Sequence, residues 1–228
     1  QLTGVENPSR LAEVERKRTF EELRQRTDKC LGALSAKVIA DYKKTLDLQL
    51  TRGLLETLGK CADTDREYAR EQARIIEATI KTTAAFAAKL PQIARDMFRF
   101  DGEVRLNQED FRTHARKLRQ INVSLDDMAR LAFGEDKEAL AKSLKARKAE
   151  NETLIKKGEA IRDRIQQIRS DFTKARRLAL DRKYRAAIEA YRQLDDSLKG
   201  TELQVRELRE HIARRIVKVR GSGLMQFL

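Results

Sequence analysis

Apolar residues recur three and four positions apart along most of this chain, a spacing that places them on one face of an α-helix. The first run begins at Asn7 and Pro8, an N-cap residue followed by a proline suited to the first helical turn. No helix-breaking signal follows before Gly59, so the pattern predicts one helix over residues 8–59. Its inner face is predicted to carry Cys30 and the stripe Leu31, Leu34, Val38, Tyr42, Thr45 and Leu46.

A second helix is predicted over residues 64–101. Thr64 and Glu67 form a capping box, in which each side chain accepts a hydrogen bond from a free backbone N–H group. Pro91 is expected to kink this helix because it lacks an N–H donor and clashes with the preceding turn, and Asp101-Gly102 is expected to end it. The seam alternates steps of four and three, as in a coiled coil, and consists of Tyr68, Gln72, Ile76, Thr79, Thr83, Phe86, Leu90, Ile93, Met97 and Phe100.

A shorter helical region is predicted between Asn107 and Gly134. Asn107 and Asp110 are suited to an N-terminus. Residues 124–127 contain a further capping pattern, so the helix is expected to stop and restart there. Its apolar positions are Phe111, Ala115, Leu118 and Ile121.

Asp136 is expected to cap the longest helix, which is predicted to run to Lys199. Arg147, Asn151 and Gly158 occupy seam positions but are poor core residues, so the first half of this helix is predicted to face solvent or a partner. The rest of the seam consists of Leu140, Leu144, Leu154, Ile161, Ile165, Ile168, Phe172, Ala175 and Ala179. The segment 184–191 resembles the second helix of a tetratricopeptide repeat, but no second copy follows at the repeat period. An amphipathic helix with two tyrosine anchors is the alternative.

A final helix is predicted over residues 201–220, opened by a capping box at Thr201 to Gln204. The glycines of the Gly221-Ser222-Gly223 segment are expected to end it, and the apolar residues 224–228 are expected to follow as a tail beyond a flexible joint. The helix carries its apolar side chains at Val205, Leu208, Ile212, Ile216 and Val219.

The composition supports a helical protein and excludes large sheets. Among 228 residues, 37% are charged and 5% aromatic, with ten glycines, two prolines and no tryptophan. Such a chain lacks the turn residues and strand formers of sandwiches and barrels. We therefore predict an all-α fold, an elongated antiparallel bundle with long coiled-coil-like helices. Its predicted parts are a tail (1–7), the bundle (8–200), the C-terminal helix (201–220) and the joint with the apolar tail (221–228).

The positive charge is unevenly distributed. The chain carries a formal charge of +13, and residues 135–228 contribute 24 basic and 15 acidic side chains. Two arginine-rich clusters lie in this half, and the planar guanidinium group suits contacts with phosphate or carboxylate. The candidate residues for binding an anionic partner are Lys174, Arg176, Arg177, Arg182, Lys183, Arg185, Arg214, Arg215, Lys218 and Arg220.

Three interpretations of the basic half stay open at this point. It is a solvated surface, a face that binds anionic membrane lipids, or a sequence-independent nucleic-acid interface, which the lack of interleaved aromatic residues disfavours. A further alternative is a face that binds an acidic protein. Three long helices with a basic surface resemble the crescent-shaped membrane-remodelling dimers of the BAR type. That resemblance rests on size, helix number and charge, and implies peripheral binding to anionic membranes.

Catalytic and metal-binding patterns are missing from the sequence. The two histidines, His114 and His211, belong to separate predicted helices, and no phosphate-loop, nucleophile-elbow or zinc-protease motif occurs. Cys30 is expected to be a buried small hydrophobic residue and Cys61 an incidental thiol in a turn. Two cysteines are too few for a disulfide framework, which favours a reducing, cytoplasmic location. We expect no enzymatic activity, cofactor, metal or small-molecule substrate.

The preferred functional hypothesis is a non-catalytic helical scaffold or adaptor that binds protein partners or self-associates through its long amphipathic helices. Arg147 and Asn151 are the candidate positions for fixing register or contacting a partner. The alternatives are BAR-like attachment to anionic membranes through the basic half, nucleic-acid binding, and a helical sensor module between two membrane spans. The predicted location is cytoplasmic, with peripheral membrane attachment under the first alternative.

Overall fold

The computed structural model describes residues 8–45, 48–61 and 66–224, and the predicted all-α class is confirmed. These ranges contain eight helices and one two-stranded antiparallel hairpin. The elements are α1 (Pro8–Thr45), α2 (Leu48–Cys61), α3 (Arg66–Ala87), α4 (Leu90–Arg95), β1 (Phe98–Phe100), β2 (Val104–Leu106), α5 (Glu109–Arg130), α6 (Lys137–Leu180), α7 (Tyr184–Ser197) and α8 (Arg206–Leu224).

The chain divides into two compact units. Unit 1 comprises Gln1–Thr82 and Ser124–Lys145, and unit 2 comprises Thr83–Val123 and Ala146–Leu228. The charge follows this division, because unit 2 carries 29 basic and 17 acidic residues whereas unit 1 carries 20 and 19. Unit 2 therefore holds a net charge of +12, almost all of the excess.

In unit 1, α1 and α2 are separate helices, so the prediction of one helix over residues 8–59 is wrong. Leu34 and Val38 of α1 line the same groove, about 590 Å³, as Leu54 and Thr57 of α2. The chain must reverse between the two helices to bring these side chains together. Reversal also buries the apolar stripe of α2, since Leu54 and its neighbours Leu55 and Leu58 are at most 4% exposed.

The predicted inner face of α1 is only partly correct. Val38 is buried, but Leu34 is 47% exposed and Cys30 is exposed, which corrects its expected burial. The predicted positions Tyr42, Thr45, Leu46, Cys61 and Thr64 lie outside the residues whose side chains are described.

The seam predicted over residues 68–100 faces inward, although its backbone is not one helix. Helix α3 ends at Ala87, and Pro91 lies in the first turn of α4, where its missing donor costs nothing. Asp101-Gly102 forms the turn of the β-hairpin instead of a helix end, with Gly102 at φ +95°. Seam residue Gln72 is buried because its amide serves the loop after α5, donating to Leu131 O at 2.9 Å and accepting from Phe133 N at 3.2 Å.

Helix α5 is continuous, so the predicted restart at residues 124–127 is wrong. Its apolar stripe is buried as predicted, which explains the continuity, because Leu125 and Met128 extend the same buried face. Gly134 lies beyond the helix at φ +82°, in the conformation that favours glycine.

In the first half of α6, the seam positions Asn151 and Gly158 are buried and do not face solvent or a partner as predicted, although most other side chains of this half are exposed. Asn151 is fully buried in unit 2, where its Nδ2 donates to Asn122 Oδ1 at 2.8 Å and its Oδ1 accepts from Arg147 Nε at 3.0 Å. Gly158 is buried against the ring of Phe111, whose atoms occupy the space of a side chain. Asn151 and Gly158 thus have specific partners on α5, whereas Arg147 is held by Asn151 and Glu150 of its own helix. The role of Arg147 and Asn151 in fixing helix register stays a prediction.

The predicted helix from Asp136 to Lys199 is two antiparallel helices. Helix α6 ends at Leu180, the chain reverses through Arg182 at φ +59°, and α7 follows. Two contacts show the antiparallel packing: the rings of Phe172 and Tyr191 lie 6.3 Å apart, and Arg164 donates to the carbonyl oxygen of Ser197.

Helix α8 packs antiparallel to α7, so α6 and α8 run in the same direction. Arg209 Nε of α8 donates to Asp195 Oδ1 of α7 at 2.8 Å. The predicted stripe of α8 is inward-facing, with Ile216 half-buried and the other four positions buried. The helix continues to Leu224, past its predicted end at Gly221; residues 225–228 are outside the described range.

Candidate anion-binding site

The helix order of unit 2 brings the two predicted basic clusters to one end of the three helices α6, α7 and α8. The last turns of α6, the first turns of α7 and the second half of α8 all lie there, because α7 alone runs in the opposite direction. We call residues 174–192 and 211–220 the basic end. It contains eleven basic and two acidic side chains.

A cluster of aromatic rings fixes the positions of these helices. Phe172 of α6 lies 5.8 Å from the ring of His211 on α8, and Phe100 of β1 packs edge-on against both, at 5.9 and 5.2 Å. Tyr191 of α7 is 1% exposed and completes the cluster. These ring contacts connect one strand and three helices at the start of the basic end.

Arg176 and Arg215 lie one helical turn beyond the aromatic cluster. Arg176 follows Phe172 by four residues and Arg215 follows His211 by four, on helices that run in the same direction, so the two residues lie at a similar level along the helices. Burial raises the pKa of the Tyr191 hydroxyl, and the positive charges of Arg215 and Arg176 act in the opposite direction. Both arginines therefore lie within electrostatic reach of one buried hydroxyl.

Each of these two arginines already has a partner. Arg176 Nη1 donates to Glu103 Oε1 at 2.9 Å, which attaches the β-hairpin to α6. Arg215 Nε donates to His211 Nε2 at 3.1 Å, an arrangement that requires neutral imidazole with its proton on Nδ1. Burial and then the charges of Arg215 and Arg214 lower the pKa of His211, which favours the same neutral form.

The other eight predicted residues are exposed. Within the described part of the chain, none of them forms an ion pair with a carboxylate. Their charges are therefore available to a partner, in contrast to those of Arg176 and Arg215. These residues are Lys174, Arg177, Arg182, Lys183, Arg185, Arg214, Lys218 and Arg220.

Two exposed apolar residues of the basic end were missed by the sequence analysis. Leu180, the last residue of α6, is 73% exposed, and Val217 of α8 is 70% exposed. Each lies among basic residues. Leu180 follows the α6 seam in sequence, and only its position at the chain reversal shows that it faces solvent.

An open groove of about 1240 Å³ lies between β1 and the first half of α8, and several of its charged side chains form ion pairs. Asp195 and Glu210 in its wall bind Arg209 and Arg206, at 2.8 and 3.0 Å. Hydrogen bonding from Arg209 lowers the pKa of the Asp195 carboxyl, so this group stays ionised at neutral pH. The groove lining contains neither histidine nor cysteine.

The other histidine, His114, contacts both the ring and the backbone of Phe86. Its ring stacks on Phe86 at 3.9 Å, and Nε2 lies 2.9 Å from the carbonyl oxygen of Phe86. Burial is the largest effect on its pKa, which is lowered. No group of three or more His, Cys, Asp or Glu side chains in the described ranges is arranged to hold a metal ion.

No known protein family, curated protein or solved structure matches this chain. Across the helices that the structure describes, none has both the length and the apolar character required to cross a bilayer.

Proposed function

We propose that this protein is a non-catalytic helical adaptor that is held on an anionic partner by the basic end. The observation that supports the proposal is the concentration of eleven basic and two acidic residues at one end of three packed helices. The remainder of the same region, residues 146–173 and 193–210, carries ten of each sign. A solvated helix surface needs no such segregation of charge.

Electrostatic attraction of this kind is additive and sensitive to salt. Charges within about 8–10 Å of one another act together at physiological ionic strength because that distance is the Debye length. The basic residues that lack a carboxylate partner among the described residues give up no internal ion pair when they bind an anion. Binding of the anionic partner by these residues therefore does not cost the folded protein any internal ion pair.

Binding to immobilised inorganic polyphosphate at low and high salt tests the proposal. The double variant Arg182→Glu/Arg185→Glu reverses two charges of the basic end, and Arg112→Glu/Arg116→Glu on α5 makes the same charge change at exposed positions elsewhere in unit 2. We expect salt-sensitive binding that the first variant abolishes and the control largely retains. Equal loss in both variants would show that only net charge matters, and the proposal would be rejected.

A second candidate function, self-association, is favoured by α1. Every side chain over residues 13–27 is exposed, including Val14 at 62%, Phe20 at 69% and Leu23 at 57%. Most helices in proteins are stabilised by packing of an apolar face, but no side chain over residues 13–27 is buried by the described part of the chain. A second copy of α1 is the partner that its charges fit.

The charges of α1 alternate in blocks along the helix. In an antiparallel pair centred between Thr19 and Phe20, each acidic block lies opposite a basic block, whereas a parallel pair in register places each block against itself. The blocks are Glu13 and Glu15, then Arg16, Lys17 and Arg18, then Glu21 and Glu22, then Arg24 and Arg26.

Sedimentation equilibrium over a range of protein concentrations tests self-association through α1. We expect a monomer–dimer equilibrium that Phe20→Gln/Leu23→Gln shifts to monomer. Val123→Gln, at a residue of α5 that is 64% exposed, is the control and should leave the equilibrium unchanged. A monomer at all concentrations would rule this function out.

A further inference from the structure

Two large apolar side chains are exposed within the basic end. Unit 2 exposes three large hydrophobic residues among those described, and Leu180 and Val217 are two of them. Single exposed apolar residues are normal on protein surfaces. Here, however, both lie within the segments that carry the exposed arginines and lysines that form no ion pair among the described residues, at the same end of the helices.

Leu180 lies at the chain reversal between α6 and α7. It is followed by Asp181, Arg182 and Lys183, all exposed, before α7 begins at Tyr184. Arg182 adopts a positive φ of 59° without being glycine, so the reversal is tight. An apolar side chain is therefore presented next to two cations at the tip of a helical hairpin.

Val217 repeats this combination on α8. It lies among Arg214, Lys218 and Arg220, which are exposed, and α8 runs in the same direction as α6. Both apolar side chains lie beyond the aromatic cluster, toward the C-terminal ends of their helices. Cations flanking exposed aliphatic side chains match the interface of a bilayer, where phosphates lie beside the acyl chains.

Nucleic acid fits the same surface less well. Single strands are bound by stacking bases on exposed aromatic rings, but the two tyrosines of the basic end are not exposed: Tyr191 is 1% exposed and Tyr184 is half-buried. Aliphatic side chains exposed beside arginine offer no stacking surface to a base. They gain free energy on entering the acyl boundary of a membrane.

We propose that the basic end docks on an anionic phospholipid bilayer, with its cations on the lipid phosphates and Leu180 and Val217 inserted at the acyl boundary. This inference rests on the proposed binding of an anionic partner and names its chemistry. Each Lys or Arg near the surface strengthens binding by about fivefold. Partial burial of the two aliphatic side chains adds about tenfold.

Vesicle flotation with the full chain tests the inference, using vesicles of phosphatidylcholine alone or mixed with phosphatidylserine. Leu180→Gln/Val217→Gln removes the apolar contacts at exposed positions without changing charge, and Val123→Gln is the control. We expect salt-sensitive binding to the mixed vesicles only. The double variant should weaken it about tenfold while leaving polyphosphate binding unchanged, and Val123→Gln should change neither.

The opposing results are distinct. Binding to polyphosphate without binding to either vesicle overturns the bilayer inference but not the adaptor function, and loss of both rejects both. If the double variant Leu180→Gln/Val217→Gln binds the mixed vesicles as tightly as the unaltered protein does, insertion of these side chains is contradicted. Tighter binding to duplex DNA than to the mixed vesicles, at equal salt, overturns the inference in favour of a nucleic-acid partner.

Discussion

The substitution Gly158→Ala tests how closely α6 packs on α5. A Cβ atom at Gly158 would lie 2.2 Å from Phe111 Cε2 and 2.7 Å from Cζ. Carbon atoms attract optimally at about 3.5–4.0 Å, so the phenyl ring must move by more than 1 Å. Because Phe111 is 2% exposed, its ring is surrounded and cannot move freely.

Gly53→Ala in α2 is the matched control. A Cβ there meets no atom within 4 Å, so the variant should show the usual gain of about 0.5–1 kcal/mol for replacing glycine in a helix. Gly158→Ala has the same propensity gain, opposed by an overpacking cost of about 1–3 kcal/mol. The free energy of unfolding of Gly158→Ala should therefore be about 1–3 kcal/mol below that of Gly53→Ala.

Urea unfolding followed by circular dichroism measures both variants. Phe111→Leu removes Cε2 and Cζ, so in a double-mutant cycle it should reduce the cost of Gly158→Ala. If Gly158→Ala is stabilised as much as Gly53→Ala, the close packing of α5 on α6 is refuted.

Two further predictions concern buried polar groups. Asn151→Leu should lower the free energy of unfolding by about 1–3 kcal/mol, because it leaves Asn122 Oδ1 buried without its donor. The double variant Asn122→Leu/Asn151→Leu should recover part of this loss in the same urea assay. If it recovers none, the loss does not come from the unpaired Asn122 oxygen. Stability should also fall on acidification from about pH 7.5 to about pH 5.5, because the folded-state pKa values of both His211 and His114 are lowered and the unfolded chain binds these protons first. His211→Gln should reduce this pH dependence, and an unchanged slope in urea unfolding would show that His211 does not contribute to it.

The sequence identifies helices well but not the places where the chain reverses. The reversal after Leu180 contains Asp181, Arg182 and Lys183, with neither glycine nor proline, so no turn signal interrupts the apolar spacing. The hairpin was missed for a related reason: Met97 and Phe100 fit a helical step of three, and Phe98 and Phe100 fit a strand equally well. Periodicity alone does not distinguish a short strand from a short stretch of helix.

The residues of the candidate site could be predicted from the sequence, but their arrangement into one surface could not. The two arginine-rich clusters are visible in the sequence, yet their meeting at one end depends on the reversal that carries no signal. Asn151 and Gly158 were misinterpreted because their suitability for a core depends on partners, Asn122 and Phe111, that are distant in sequence. A residue type by itself does not reveal such a partner.

The ring contacts among Phe100, Phe172, Tyr191 and His211 have a thermodynamic consequence. They hold together cations from segments that are far apart in the unfolded chain, so a multivalent ligand meets a dense array of charge only in the native state. A ligand that binds only the native state raises the unfolding midpoint by an amount that grows with the logarithm of its concentration once this exceeds the dissociation constant. The thermal unfolding midpoint in the presence of the anionic partner should then exceed that of the isolated protein, because binding of the partner stabilises the fold on which the binding surface depends.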